Sequence, residues 1–335
     1  MAVLLRPLTL FQWGKEVITT HGTAVPATEK IAVENIGFTP LDELYRPNLA
    51  KGYMLPHSAN ETPIVRGTTW KVSDQPLTFN QHQRWLSMAI VGGVSAVGVA
   101  DPWTWTYTRN ILADPTPDSF TLERRLSDGT LFNDNEWAYA MLKEISWTFE
   151  ENQPLKFSAE GFARRIQSST LTAAQAMPII DIPPAPLCKV WLDATWATLG
   201  TTLLSGQVRQ AEVTFKTGFK PIILMDGRTD LDFATHVVDG NEVGLELELT
   251  VLLTKAQYDA QKTAAEAGTL RAVRLLVDGP TADRSITFDM LLKYDVPTFF
   301  EVDDDEGQVQ GVFKMRESTD GTNLFKVSVE NGIGT

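Results

Sequence analysis

The stretch "EVGLELELTVLL", Glu242–Leu253, alternates Leu245, Leu247, Leu249 and Val251 with Glu246, Glu248 and Thr250. Successive side chains of an extended chain point to opposite faces, so this alternation predicts a strand with one apolar and one polar side. Period two is lost in the residues that follow, "TKAQYDAQKTAAEAG", Thr254–Gly268. They read as a helix, with Thr254 as N-cap, an Ala-rich body and Gly268 where a C-terminal cap belongs. Further strand-like runs come next: "LRAVRLLV", "RSITFDMLLKY", "GQVQGVFKM" and "NLFKVSVEN". A strand, one helix and then several strands separated by turns such as "TPDS", "SDG" and "STDG" is an α+β pattern, mainly antiparallel.

The N-terminal half runs through the same order. "PIVRGTTWKVS" reads as the strand, and "TFNQHQRWLSMAIVGG" as a helix capped by Thr78 and stopped at Gly92 and Gly93. "PWTWTYTRN", "SFTLERRL", "MLKEISWTFEE" and "LKFSAEGF" follow as strands. Matching elements lie at near-constant separation, 176 from Thr78 to Thr254, 166 from Phe120 to Ile286 and 168 from Phe157 to Phe325. Few identities accompany the match, so it reads as a duplication of fold. Between the halves, "QSSTLTAAQAMPIIDIPPAP", Gln167–Pro186, carries no charge except Asp181 and has three prolines within four positions. Proline removes a backbone donor and biases its neighbours toward extended geometry, so a linker is expected. The expected organisation is an N-terminal arm over 1–33, a first unit over 34–166, a linker over 167–186 and a second unit over 187–335. Each unit is expected to be a small β-sandwich with one packed helix. Extensions precede the repeated elements, Ile31–Pro63 in the first half and Leu187–Asn241 in the second. The first contains "GFTPLDELYRPNLAKGYMLPHSANETP" and reads as a functional loop because of its length.

Composition bounds the function. The 335 residues, 43% hydrophobic and 21% charged, suffice for a sizeable core. A formal charge of −13 argues against a Lys- and Arg-lined nucleic-acid groove. A single cysteine, Cys188, excludes an intrachain disulfide and any multi-cysteine metal site, and it reads as a small buried hydrophobe. Residues 1–20 have no apolar run long enough for a signal peptide or a membrane span. His21, His57, His82 and His236 stand at no metal-ligand spacing. No G-x-S-x-G, Walker or G-x-G-x-x-G motif occurs, and glycine-rich "VGGVSAVGVAD" follows a helix instead of leading into one. The acidic run "VDDDEG" lacks the ligand spacing of an EF-hand and reads as a solvated turn. No enzymatic activity, cofactor or metal is therefore expected.

One stretch remains. "WGKEVITTHGTAVPATEKIAV", Trp13–Val33, has neither helix nor strand periodicity, and its apolar side chains need a cover. It resembles the opening of the tail-tube, or major tail, proteins of long-tailed bacteriophages with non-contractile tails. Similar to that family are also "LDELYRPNLAKGY" as the early loop, "RGTTWKVSDQPLTFNQHQRWLSMAIVGG" as strand and helix, and "WTWTYTRN" with "PDSFTLERR" as the next hairpin. "KEISWTFEENQPLKFSAEGFARR" and "GQVRQAEVTFKTGFKPI" resemble the strands that close one unit and open the next.

The resemblance implies a structural virion protein, assembled in the host cytoplasm, that forms stacked rings around a pore for genome delivery. Its sheets would close across subunits into a ring-shaped β-barrel. Two units per chain would let three chains form a pseudo-sixfold ring. The implied partners are other copies of the chain, the tape-measure protein and DNA in the lumen, and the tail-terminator and tail-tip proteins. The arm would be covered by a neighbouring subunit or ring, the alternative being an arm folded back on its own unit. Candidate interface residues are Trp13, Val25, Pro26, Leu44, Tyr45, Tyr53 and Met54. Candidate lumen residues, on the polar side of amphipathic strands, are Glu144, Glu150, Glu246 and Glu248, since an acidic lining would repel phosphate. Competing readings are a carbohydrate-binding or carbohydrate-cleaving β-sandwich, suggested by nine tryptophans, and a neck or tail-terminator ring protein.

Overall fold

A computed structural model describes residues 8–17, 19–45, 62–90, 101–109, 117–127, 132–173, 175–204, 207–225, 230–279, 283–295, 309–321 and 324–332. Among them the fold is α+β and mostly antiparallel β, with two α-helices. Strands β1 (Leu8–Lys15), β2 (Glu29–Lys30), β3 (Gly37–Pro40), β4 (Glu43–Tyr45), β5 (Thr62–Val65) and β6 (Thr68–Pro76) lead to helix α1 (Phe79–Ser87). After it come β7 (Trp103–Thr108), β8 (Phe120–Ser127), β9 (Phe132–Glu150), β10 (Lys156–Ala163) and β11 (Gln167–Ser168). Next are β12 (Cys188–Asp193), β13 (Val208–Lys216), β14 (Phe219–Ile222), β15 (Thr235–Val238) and β16 (Gly244–Leu253), ending at helix α2 (Lys255–Glu266). The chain closes with β17 (Leu270–Asp278), β18 (Ser285–Tyr294), β19 (Val309–Glu317) and β20 (Phe325–Asn331).

Sixteen strands share one sheet, along the path β12-β17-β18-β19-β16-β13-β9-β10-β6-β3. Off that path, β8 lies between β1 and the first part of β9, β11 pairs with β9, and β20 pairs with β18 and β7. The same neighbour order thus runs through both halves, as β1-β8-β9-β10-β6-β3 and as β12-β17-β18-β19-β16-β13, with β11 beside β9 where β20 is beside β18. This order equates β8 with β17, one strand away from the match of Phe120 with Ile286 that spacing suggests. The reason is β7, which intervenes between α1 and β8, has no counterpart between α2 and β17, and pairs instead with β20. In each half a two-stranded hairpin, β4-β5 or β14-β15, stands outside the large sheet.

Burial separates the two helices. Helix α1 is enclosed, with Phe79 through Gln83, Trp85 and Leu86 buried. It ends at Ser87, short of the expected stop at Gly92, and the Thr78 side chain makes no capping bond. Met88, Ala89 and Ile90 are themselves buried, so after Ser87 the chain fills core instead of continuing the helix. Helix α2 is a surface helix with only Ala264 buried. There the expected caps are in place: Thr254 and Gln257 form a reciprocal capping box, and Gly268 has φ +62° just past the end.

Around α1 the apolar faces of the strands meet. Trp147 of β9 packs edge-on to Phe288 of β18 at 5.0 Å, and Phe215 of β13 lies 5.3 Å from Phe325 of β20. On the other side of the helix, Trp85 contacts Trp13 at 4.8 Å, Phe157 at 5.3 Å and Trp70 at 6.0 Å. The alternation of Glu242–Leu253 is realised, with Leu245, Leu247, Leu249 and Val251 all buried. "PIVRGTTWKVS" breaks at Arg66 and Gly67 into β5 and β6, whereas β9 begins nine residues before "MLKEISWTFEE".

The arm is folded back on its own chain. β1 pairs along its whole length with β8, and Phe11, Trp13, Ala27 and Ile31 are buried. Two buried carboxylates hold it there. Glu16 accepts hydrogen bonds from the N–H groups of Gly22 and Tyr139, both at 2.7 Å, and from Ser119 Oγ at 2.6 Å and Thr121 Oγ1 at 3.0 Å. Glu123 accepts from Gln12 Nε2 at 2.7 Å, Ala27 N–H at 3.2 Å, Thr172 N–H at 2.9 Å and Thr172 Oγ1 at 2.6 Å. Arm, β8 and the segment after β11 are thereby tied together. Gly14 is required, because a Cβ there would stand 2.4 Å from the Pro26 carbonyl oxygen of the returning chain.

Two predictions follow from this packing. Deleting residues 1–30 removes β1 and uncovers Trp85 and Phe120, so the truncated protein should be insoluble. Trp13→Ala alone should lower stability by about 3–5 kcal/mol in denaturant titration. A soluble, fully folded truncation would overturn this account of the arm. The second concerns His82, whose ring nitrogens have no hydrogen-bond partner and whose pKa burial pushes from 6.5 down to about 3. Between those values the unfolded chain binds a proton that the native state refuses. Stability therefore rises with pH across this window and is lost as pH falls toward 3. In His82→Leu the dependence of unfolding free energy on pH should be shallower by up to about 1.4 kcal/mol per pH unit there. Equal slopes would show that His82 does not titrate this way.

Candidate functional site

The candidate lumen residues are side chains of strands β9 and β16, and strand register decides which of them meet. Across β10, β9, β13, β16 and β19 three polar rows run in register. One is Glu160, Glu144, Lys216 and Gly244; the next is Ser158, Ser146, Thr214, Glu246 and Arg316; the third is Lys156, Thr148, Glu212, Glu248 and Lys314. Glu150 stands opposite Gln210 in a fourth row. On the reverse face, Ile145, Trp147, Phe149, Val213, Phe215 and Leu247 are buried. Glu144, Glu150, Glu246 and Glu248, which are up to 104 positions apart in sequence, thus share one polar face.

Charge on that face is mixed. Lys216 Nζ lies 3.6 Å from Glu246, and Lys314 Nζ 2.8 Å from Glu248. The bond to Glu248 raises the pKa of Lys314, while partial burial, then the neighbouring Glu248, raises that of Glu212 against the opposing pull of Lys314. Glu144 and Glu246 line a groove of about 380 Å³ with Lys143 and Lys216. Net charge predicted a predominantly negative surface here. Lys156, Lys216, Lys314 and Arg316 interleave with the carboxylates instead, because a chain-wide sum carries no information about which face holds the excess.

The interface candidates divide. Trp13 is 1% exposed, and its Nε1 donates to Glu29 at 3.3 Å, so it is core and offers no face to a partner. Val25 is half-buried with its N–H donated to Thr121 Oγ1, while Pro26 is exposed. Leu44 is exposed on β4, and Tyr45 ends that strand. The Tyr45 side chain, Tyr53 and Met54 lie outside the described residues, as do His57, "VGGVSAVGVAD" before Asp101 and the acidic run "VDDDEG".

Sequence reasoning missed the second hairpin. Ile223, Leu224, Met225 and Val237, on or next to β14-β15, are all more than 40% exposed, as are Leu41, Leu44 and Ile64 around β4-β5. The segments that flank the hairpins meet. Arg66 N–H donates to the Leu231 carbonyl at 3.1 Å, and the buried Asp232 accepts from the Arg165 N–H at 2.8 Å. Both leave the large sheet at the same place in the strand order, β4-β5 between β3 and β6, β14-β15 between β13 and β16. The signal available beforehand was "PIILM", Pro221–Met225, an apolar run with no alternation.

Among the described residues no group of three or more His, Cys, Asp or Glu side chains could hold a metal ion, and no helix is long and apolar enough to cross a membrane. Burial pushes the Cys188 thiol up to about 12. His21 Nδ1 is 2.6 Å from Ser119 Oγ, but Ser119 is wholly buried and donates to Glu16, so the pair is a structural link. No protein-family model matches the sequence, and no curated protein is significantly similar to it.

Because Glu246 and Glu248 are about half exposed and bonded only to flexible surface lysines, Glu246→Lys with Glu248→Lys should leave the circular dichroism spectrum and unfolding midpoint essentially unchanged. A large fall in the midpoint would mean that the face is structural.

Proposed function

We propose that this chain is a structural protein of the tail-tube type, forming rings that stack into a conduit for genome DNA. One observation carries the reading. β9 of the first half pairs with β13 of the second, so two halves of the same strand order form one continuous antiparallel sheet, polar on one face. That continuity supports two tandem tube-like units within the chain. A sheet of this kind, repeated by rotation, closes into a barrel with a solvated inner wall. On this reading three chains complete a pseudo-sixfold ring, and the polar face with Glu144, Glu150, Glu246 and Glu248 faces the lumen. The two apolar hairpins, in place of the arm, mediate contact between rings. Copies of the chain, the tape-measure protein, passing DNA and the terminator and tip proteins are its partners, and the phage tail is its location.

The interleaved lysines refine the expected lumen. A wall of alternating charges offers phosphate no continuous cationic track, and Lys216 and Lys314 are each engaged by a carboxylate. Against the carbohydrate reading, Trp13, Trp70, Trp85, Trp137 and Trp147 are buried in the core, and the half-exposed Trp103, Trp105, Trp191 and Trp196 are spread over β7, β12 and the turn that follows β12.

Negative-stain microscopy of the concentrated protein should reveal rings or tubes with threefold or pseudo-sixfold symmetry. A ring of six whole chains would overturn the trimer, and a protein monomeric at every concentration would overturn the proposal. Leu224→Asp with Met225→Asp should leave the monomer folded and isolated rings intact while abolishing stacking. Normal tubes from that variant would remove the hairpin from the ring contact.

A further inference from the structure

We propose that the segment 177–182 is the seat on which the β14-β15 hairpin of a second copy of this chain, in the next ring, docks. The inference rests on the stacked-ring reading and names the surface that receives the hairpin.

The segment lies between β11 and β12. Ile179 is 77% exposed, and Met177, Ile180 and Ile182 are exposed beside it. Aliphatic side chains gathered in this way form an apolar ribbon, and such ribbons on a folded chain mark contact with another molecule. The backbone beneath them is fixed. Asn80 Nδ2 donates to the Ile179 carbonyl at 3.1 Å, Phe79 N–H to the Asp181 carbonyl at 3.0 Å and Leu155 N–H to the Pro183 carbonyl at 2.8 Å. Docking therefore has little left to order on this side.

The hairpin has matching character. Ile223 and Leu224 are about half exposed and Met225 is wholly exposed, directly after β14. Its base is anchored, because Phe219 is buried in a cluster with Phe233, Tyr139, Phe162 and Met141. Neither surface brings an unpaired charge to the contact. The carboxylate of Asp181, the one charge of 167–186, is 3.9 Å from Arg284 Nε, and residues 221–225 carry none. Lys220, at the hairpin base, is held by Asp239 and Glu242, each at 2.8 Å. Joining the two surfaces removes apolar area from water without stranding an ion.

Placement decides which copy covers which. β13 and β16 reach the hairpin at Lys216 and Gly244, in the row of Glu144 and Glu160. The segment belongs to the opposite end of the same strands. There Leu77 N–H donates to the Leu155 carbonyl and Ala185 N–H to the Gln153 carbonyl, at the turn from β9 into β10. From Glu144 to Glu150 alone, β9 covers about 20 Å. A groove of about 200 Å³ also opens at this end, between Ala185 and Pro186 on one side and Val208 and Ala211 of β13 on the other. One end of the sheet thus projects an apolar hairpin, and the other offers an apolar ribbon beside a recess. Complementary surfaces at opposite ends of one molecule make a heterologous contact that repeats from copy to copy without closing, which is the geometry of a stack.

The test sets a full-length variant carrying Ile179→Asp with Ile180→Asp beside the hairpin variant Leu224→Asp with Met225→Asp. The replaced side chains are exposed, so circular dichroism and the unfolding midpoint should match wild type. The segment variant should form single rings and no tubes. Normal tubes would overturn the inference while sparing the tube reading, and a folded variant that forms no rings would place the segment inside the ring and overturn it too. Rings of the two variants, assembled separately and then mixed, should give double rings and nothing longer, since an intact hairpin face meets an intact seat once per pair. A mixture that stays as single rings would overturn the inference. A wild-type protein that never forms rings would sink both readings. Peroxide oxidation of the wild-type protein is the check that needs no substitution. Met177 and Met225 should both react at least about fivefold more slowly in tubes than in unassembled protein, and an unchanged rate at either would overturn the inference.

Discussion

A bend in β9 at Tyr139 holds this fold together. Before the bend the strand pairs with β8 and β11, and after it with β10 and β13. Tyr139 makes the turn with φ +57°, a backbone region costly for a residue with a Cβ. Its N–H, turned out of the ladder, donates to Glu16 at 2.7 Å, and its ring is stacked 5.0 Å from Phe233 and 5.6 Å from His21, with the Arg164 guanidinium 5.3 Å away. The strained residue is thus held by groups from the arm, from the residue that follows β10 and from the segment before β15. Sheet continuity between the halves depends on that clamp.

The same clamp explains the arm. A carboxylate out of water is costly unless each oxygen has donors, and Glu16 and Glu123 each accept four hydrogen bonds. Those donors come from segments far apart in sequence. The arm therefore behaves as an integral edge of the first half, with Phe11 and Trp13 completing the wall around α1. The large apolar side chains that stand exposed belong instead to other places, among them the two hairpins, with Leu44, Ile64, Ile223, Leu224 and Met225 on or beside them.

Function on this reading is a property of the sheet. The polar face is built from alternate residues of five adjacent strands, so its chemistry is fixed by register. One-residue slips would bury Glu246 and Glu248 and expose Leu245 and Leu247. The apolar core behind the face makes such a slip prohibitively costly, which keeps the carboxylates and their lysine partners on one surface.

Local patterns were legible in the sequence. Period-two alternation located β16, strand-like runs located β17 through β20, and the capping residues Thr254 and Gly268 bounded α2, because these depend only on neighbours in the chain. The same patterning put Glu144, Glu150, Glu246 and Glu248 on polar strand faces. Tertiary structure alone decided that those faces are one face, that lysines interleave them, and that β8 corresponds to β17, since register between strands is set by packing and bulges. It also decided the fate of Trp13–Val33. That segment follows no period because its side chains alternate between core, buried carboxylate and solvent along an irregular path, and the groups that cover it, Trp85, Phe120 and Glu123, come from residues more than seventy positions away.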